Sequence, residues 1–125
     1  IYRMQNAKDT LDTAKICREY KRYKDSINRC YYAAFYAIKA VLALEGKDFK
    51  RHKDAVGYFN QTYVATGKFS RDFGKRLGRL KRKREVSDYD DFYVASNEEA
   101  IEQYESAELI VNQVERYLMK MDINI

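Results

Sequence analysis

Apolar and polar positions recur with a period near 3.6 residues in several separate stretches of the chain, and the most hydrophobic of them lies near its first third. Ser26 to Leu44 reads SINRCYYAAFYAIKAVLAL, and between Cys30 and Leu44 the only charged residue is Lys39. Tyr, Phe, Ile, Val, Leu and Ala occupy every side of the helical turn there, so this helix has to be covered on every side. Ser26 is placed to cap its start, and Glu45-Gly46 to stop it. The apolar run is about 15 residues, short of the roughly 18 that would suggest a membrane span, which predicts a buried central helix of a soluble bundle.

The flanking segments supply the cover. A first helix is predicted from about Asn6 to Tyr23, with Ala7, Leu11, Ala14 and either Cys17 or Arg18 on one face, followed by a short polar connection, Lys21 to Asp25, into an antiparallel hairpin. A third helix near Arg51 to Ala65 carries Val56, Phe59 and Tyr63 on one stripe and ends at Thr66-Gly67. Ser70 can cap a fourth, whose narrow stripe of Phe73, Leu77 and Leu80 lands one step later on Arg84. That spacing puts Arg84 on the core-facing edge and Arg79 and Arg82 toward water, and a guanidinium so placed wants a carboxylate, with Asp88 nearest and Asp90 and Asp91 next. Ser87 to Ala95 lacks helical period and reads as a loop. Ser96-Asn97-Glu98-Glu99 is a capping box opening a last helix through roughly Met121, with Ile101, Tyr104, Val111, Val114 and Leu118 facing inward. The expectation is an all-α, up-and-down helical bundle of four to five helices, one domain over residues 1–125.

Composition agrees with this reading. A chain of 125 residues can bury about two-thirds of the surface its unfolded form exposes, and the absence of proline with only five glycines favours long helices. Cys17 and Cys30 have no CxxC or CxxH spacing and read as small buried hydrophobes in a reducing compartment, and with no signal peptide visible a cytoplasmic protein is expected. Charge changes the picture more. Lys68 to Arg84 holds nine Lys and Arg against Asp72, whereas Glu85 to Glu108 holds nine carboxylates and no Lys or Arg. If the two blocks pack together they neutralise each other; if they face apart, Lys75, Arg76, Arg79, Arg82 and Lys83 present a cationic strip suited to phosphates.

Several kinds of chemistry are set aside. Gly67, Gly74 and Gly78 do not form a phosphate loop, a lone histidine cannot build a histidine-rich metal site, and no Ser or Cys sits in a nucleophile motif, so neither a metal nor a cofactor is expected. Most of the twelve tyrosines follow apolar spacing, which favours packing over base stacking. His52, between Arg51 and Lys53 at a helix start, reads as a partly exposed surface residue.

The order Ser26-x-x-Arg29-x-Tyr31-Tyr32-Ala33, then His52, then Phe59 with Thr66-Gly67-Lys68, then Arg84-x-x-x-Asp88-Tyr89-Asp90-Asp91 resembles the HEPN domain family, and most closely its small stand-alone prokaryotic members that accompany nucleotidyltransferase-like proteins. The likeness runs from about Ala7 to Leu118. It implies a helical bundle, usually a homodimer, with a role around RNA or nucleotides, often as half of a toxin–antitoxin pair. The family's ribonucleases use an Arg followed after four to six residues by His, in which the imidazole does acid–base work on the 2′-hydroxyl and Arg steadies the phosphate. Arg84 holds the Arg-like position here, but Glu85, Val86, Ser87, Asp88 and Tyr89 follow it with no imidazole. The resemblance therefore implies a non-catalytic or weakly catalytic component of a toxin–antitoxin-type pair that binds a nucleotidyltransferase-type partner and contacts RNA or nucleotide, with a groove of Arg29, Tyr32, Arg84, Asp88 and Tyr89. The alternatives are an RNA-cleaving toxin using Arg84, Asp88, Tyr89 and His52 in an atypical arrangement, or a plain basic RNA-binding module.

Overall fold

The computed structural model describes residues 2–121, which form α1 (Tyr2–Glu19), α2 (Tyr23–Ala43), α3 (His52–Phe59) running on into a π-helical turn (Asn60–Val64), α4 (Arg71–Tyr89) and α5 (Asn97–Lys120). The protein is an all-α helical bundle. Among the described residues no helix is long and apolar enough to cross a membrane.

The central helix packs against α1, α3, α4 and α5. Its Cys30, Tyr31, Ala34, Ile38 and Val41 are fully buried and join the apolar faces of its neighbours in one continuous core. Burying a large side chain of this kind contributes about 1.5–3 kcal/mol. The cover is incomplete, which corrects the expectation of burial on every side. Asn28, Arg29, Tyr32, Tyr36 and Lys39, at helical spacing, form a half-buried stripe along one side of α2.

The hairpin of α1 and α2 forms as predicted, but its ends differ. α1 stops at Glu19, because Lys21 takes a left-handed conformation (φ 62°) that a right-handed helix cannot continue through. α2 then starts at Tyr23, so Ser26 is not its cap. Ser26 lies fully buried in the seam with α1, where its Oγ donates to the Ala14 carbonyl at 2.7 Å. Small residues at this seam, Ala7 and Ala14 from α1, let the two backbones approach, and the serine hydroxyl finds a carbonyl in place of water. Met4 extends the buried face of α1 to Met4, Ala7, Leu11 and Ala14, while Cys17 is only half-buried.

The third helix occupies its expected span but changes winding, from α to π at Asn60. The helical winding stops at Val64, and the turn that follows closes at Gly67 (φ 83°), the glycine the sequence marks for it. Phe59, Tyr63, Phe69, Phe73 and Tyr117 stack into an aromatic wall joining this segment to α4 and α5, with centroids 4.6 to 6.4 Å apart.

Ser70 caps α4, its Oγ accepting the Phe73 amide at 3.1 Å. The helix does not end before Ser87. It runs through Asp88 to Tyr89, and only the short segment from Asp90 to Ser96 is loop. The reason is that Phe73, Leu77, Leu80, Arg84 and Ser87 form one unbroken buried stripe, in which two polar side chains take positions that an apolar pattern would need. The capping box is present: Ser96 Oγ accepts the Glu99 amide at 3.1 Å and Glu99 Oε1 accepts the Ser96 amide at 3.0 Å. Near its start α5 buries Ala100, Gln103 and Ser106, leaving the expected Ile101 and Tyr104 half-buried, because this half packs on the polar flank of α4. Further on, Val111, Val114 and Leu118 are buried as expected.

The charged blocks meet along one flank. Lys83 pairs with Glu99 at 2.8 Å, and Arg76 donates to Ser106 at 3.1 Å while pairing with Asp72 on its own helix. Lys75, Arg79 and Arg82 stay exposed. The strip is thus neutralised on its inner side and open on its outer side.

Candidate functional site

Three elements bring polar side chains to one place. Arg84 comes from the buried stripe of α4, Tyr31 and Tyr32 from α2 opposite it, and His52 from the first residue of α3. The Arg84 guanidinium carbon lies 4.9 Å from the Tyr31 ring centre, 5.6 Å from that of Tyr32 and 5.9 Å from that of Tyr89. The residue is only 9% exposed, so three aromatic faces have replaced most of its water.

Its acidic partner is a loose one. Asp88, one helical turn on, has an oxygen 3.7 Å from Arg84 Nη1, and Tyr89 has its hydroxyl 3.4 Å from the same nitrogen. Asp88 Oδ2 is engaged by Asn28, whose Nδ2 donates at 2.9 Å, while Asn28 Oδ1 accepts from Arg29 Nε and Nη2 at 3.0 and 2.7 Å. Arg29 also lies over Tyr32, 5.0 Å from its ring centre. Arg29, Asn28 and Asp88 form a chain that draws the carboxylate from the guanidinium. Arg84 Nε and Ser87 Oγ are buried with no hydrogen-bond partner among the described residues. A buried cation with spare donors is the kind of group that attracts an anion.

His52 completes the cluster. Its ring packs on Phe35 with centroids 4.1 Å apart, and its Nδ1 is 3.3 Å from the Tyr31 hydroxyl. Burial, reinforced by Arg84, Lys39 and Lys81, holds the imidazole below its ordinary pKa, so the ring is neutral at pH 7. Burial pushes the Tyr31 hydroxyl up to about 12, against the pull of Arg84, and keeps it a phenol. A neutral imidazole, a phenol and a guanidinium can together bind a phosphate and move a proton. The Cys30 thiol, pushed up to about 12 by burial, offers no nucleophile. No group of three or more His, Cys, Asp or Glu that could hold a metal is gathered among the described residues.

Each residue singled out from the sequence can be placed. Arg29, Tyr32, Arg84, Asp88, Tyr89 and His52 converge, with His52 half-buried against Phe35 rather than an ordinary surface residue. Asp90 and Asp91 are exposed beyond the end of α4 and make no ion pair with Arg84. Of the basic strip, Arg76 and Lys83 are committed to α5, while Lys75, Arg79 and Arg82 are not part of the cluster. Sequence reasoning missed Asn28 and Ser87. Asn28 was findable, lying one turn before Tyr31 and Tyr32, whereas Ser87 needed the true end of α4. Both line an open cleft of about 720 Å³, with Asp88, Tyr93, Lys21 and Lys24 around them.

The model of the HEPN domain matches residues 2–117 of this chain. The chain belongs to the HEPN domain family. This HEPN protein is 30% identical to the UPF0332 protein of Thermotoga maritima over 94% of its own length and 89% of the relative's. It is likewise 30% identical to a UPF0332 protein of Archaeoglobus fulgidus, over 94% of both chains. A third relative, 29% identical over 92% of this chain and 85% of its own, is the Methanocaldococcus jannaschii protein named "Putative toxin MJ0605". The expected family is thereby established.

Proposed function

We propose that this HEPN protein is one half of a toxin-type pair, acting as a homodimer that binds an RNA or nucleotide phosphate at Arg84 and a nucleotidyltransferase-type protein partner. One observation carries the reading: a guanidinium ringed by three tyrosines has only a 3.7 Å contact with its carboxylate. Such a group is set for a phosphate from outside. The toxin-type role is supported by the name of the M. jannaschii relative. Protein contacts are supported by Phe92, Val94 and Tyr89, large apolar side chains that are 94, 84 and 74% exposed at and just beyond the end of α4.

The test is binding of a labelled single-stranded RNA, followed by anisotropy at fixed salt. Arg84→Ala is expected to weaken binding by at least about tenfold, the scale of one lost charge-assisted phosphate contact. Equal affinity for the variant, with its helicity intact by circular dichroism, would remove the site.

A second reading, metal-independent RNA cleavage, is favoured by the imidazole itself. His52 does not follow Arg84 in sequence, yet it shares Tyr31 with it in space. In that reading His52 takes the 2′-hydroxyl proton as the 2′-oxygen bonds to phosphorus, the P–O5′ bond breaks with the 5′-oxygen taking a proton from water, and Arg84 stabilises the charge that develops on the phosphate. His52→Ala would then abolish cleavage by about 100-fold or more while changing RNA affinity little. RNA left intact by pure wild-type protein would exclude it.

A further inference from the structure

The flank of α4 that carries the basic strip meets α5 along a groove that neither helix fills. Its larger part, about 350 Å³, lies between Arg79, Arg82 and Val86 of α4 and Glu102 and Gln103 of α5. A second hollow of about 240 Å³ shares Arg79, Glu102 and Gln103 and continues toward Arg76, Glu105 and Ser106. From Arg76 to Val86 the groove follows about 15 Å of helix. Its two walls are oppositely charged and held apart. Lys83 reaches across to Glu99 at one end and Arg76 to Ser106 at the other, but among the described residues no ion pair joins Arg79 or Arg82 to Glu102 or Glu105. On the floor Gln103 is only 6% exposed, and its Oε1 is buried with no hydrogen-bond partner among the described residues. An acceptor left open in this way calls for a donor from outside the chain.

We propose that this groove seats an extended peptide segment of a partner protein in which acidic and basic residues alternate. Successive side chains of an extended chain point to opposite sides, so alternation sends carboxylates to Arg79 and Arg82 and cations to Glu102 and Glu105. The Gln103 carboxamide presents a donor and an acceptor side by side, the pattern a peptide unit offers in return, and its Oε1 takes a backbone N–H. A length of about 15 Å accommodates four or five residues at about 3.3 Å each, where a free amino acid would leave most of the groove empty. A nucleic-acid strand fits less well, since Glu102 and Glu105 would face its phosphates. The groove goes beyond the reading of Arg84 and shares no residue with that cluster.

The probe is a fluorescein-labelled peptide of about six residues, blocked at both ends, in which glutamate and lysine alternate; the control has the same composition with the glutamates in one block and the lysines in another. By anisotropy the alternating peptide is expected to bind at least about tenfold more tightly, because only alternation serves both walls along the groove. Gln103→Leu is expected to weaken that binding about tenfold without lowering the melting temperature, since the amide it removes has an unpaired acceptor. Arg79→Ala, at an exposed position, is expected to weaken it to a similar extent. Equal affinity for the two peptides, no binding by the wild type, or full affinity in Gln103→Leu would each overturn the groove. Should Gln103→Leu fail to fold, Arg79→Ala decides, and its full affinity would overturn the groove likewise. Wild-type protein that binds single-stranded RNA but neither peptide would sink the groove and leave the Arg84 reading standing, whereas peptide binding without RNA binding would do the reverse.

Discussion

Single side chains in this molecule take their meaning from what burial does to charge. Arg84 remains a cation whatever surrounds it, so its burial calls for compensation, and tyrosine faces supply part of it where a close carboxylate would have supplied nearly all. His52 responds in the opposite way: burial and three cations disfavour its charged form, and its pKa falls. The sign for catalysis follows. A base must be deprotonated, so any RNA-cleaving activity rises with pH through that depressed value, with its midpoint below pH 6.5, the ordinary value for histidine. Arg84→Ala removes one of the cations and should move the titration of His52 back toward 6.5. As the only histidine, His52 gives one imidazole resonance to follow by proton NMR, and a titration unmoved by Arg84→Ala would contradict the contact. Of these residues, Arg84 was legible from its step of four beyond Leu80. The place of His52 was not, since 32 positions separate the two (84 minus 52) and only the docking of α3 brings them together.

Helix by helix, the local signals were reliable where they act through neighbouring backbone. Ser70 and the Ser96–Glu99 box bind amides three residues away, and both are found as read. Ser26 has the same chemistry but a different outcome, because the Ala14 carbonyl of another helix lies within its reach. Glycines show the same divide. Gly74 and Gly78 both sit inside α4, where alanine would ordinarily add up to about 1 kcal/mol of helix stability. At Gly74 a Cβ would come within 2.9 Å of Val64 Cγ1, in the stiff β-branched side chain of the π-helical turn, whereas at Gly78 it would meet only the mobile end of Arg82 at 3.2 Å. Gly78→Ala is therefore expected to raise the melting temperature by a few degrees, and Gly74→Ala to lower it, through overpacking of about 1 kcal/mol or more. Thermal unfolding of the two variants decides, and equal shifts of the same sign would contradict this account.

At the scale of the whole molecule, the basic and acidic blocks turn a net charge into a distribution. Packing α5 against α4 spends the carboxylate of Glu99 on Lys83, with Tyr93 also donating to it, and these contacts hold that carboxyl down at about 2. What remains free is the outer edge, Lys75, Arg79 and Arg82, away from the Arg84 cluster. Salt dependence separates the two. If the edge steers nucleic acid non-specifically, Arg79→Glu with Arg82→Glu should flatten the slope of log affinity against log salt by about two phosphate contacts, whereas Arg84→Ala should flatten it by about one. A slope unchanged by the double variant would show that the edge meets no nucleic acid.

What the amino-acid order determined by itself was much of what depends on period and on near neighbours: the helical class, the buried centre, the caps at Ser70 and Ser96, and the inward edge on which Arg84 lies. Contacts within a few residues are set by backbone geometry, and that geometry is written into the spacing. Only the tertiary structure decided that α4 runs on past Ser87, that one side of α2 stays open, that Asn28 holds Asp88 off the guanidinium, and that His52 joins it. Those outcomes depend on how helices distant in sequence dock and compete for the same buried space, which no local pattern encodes.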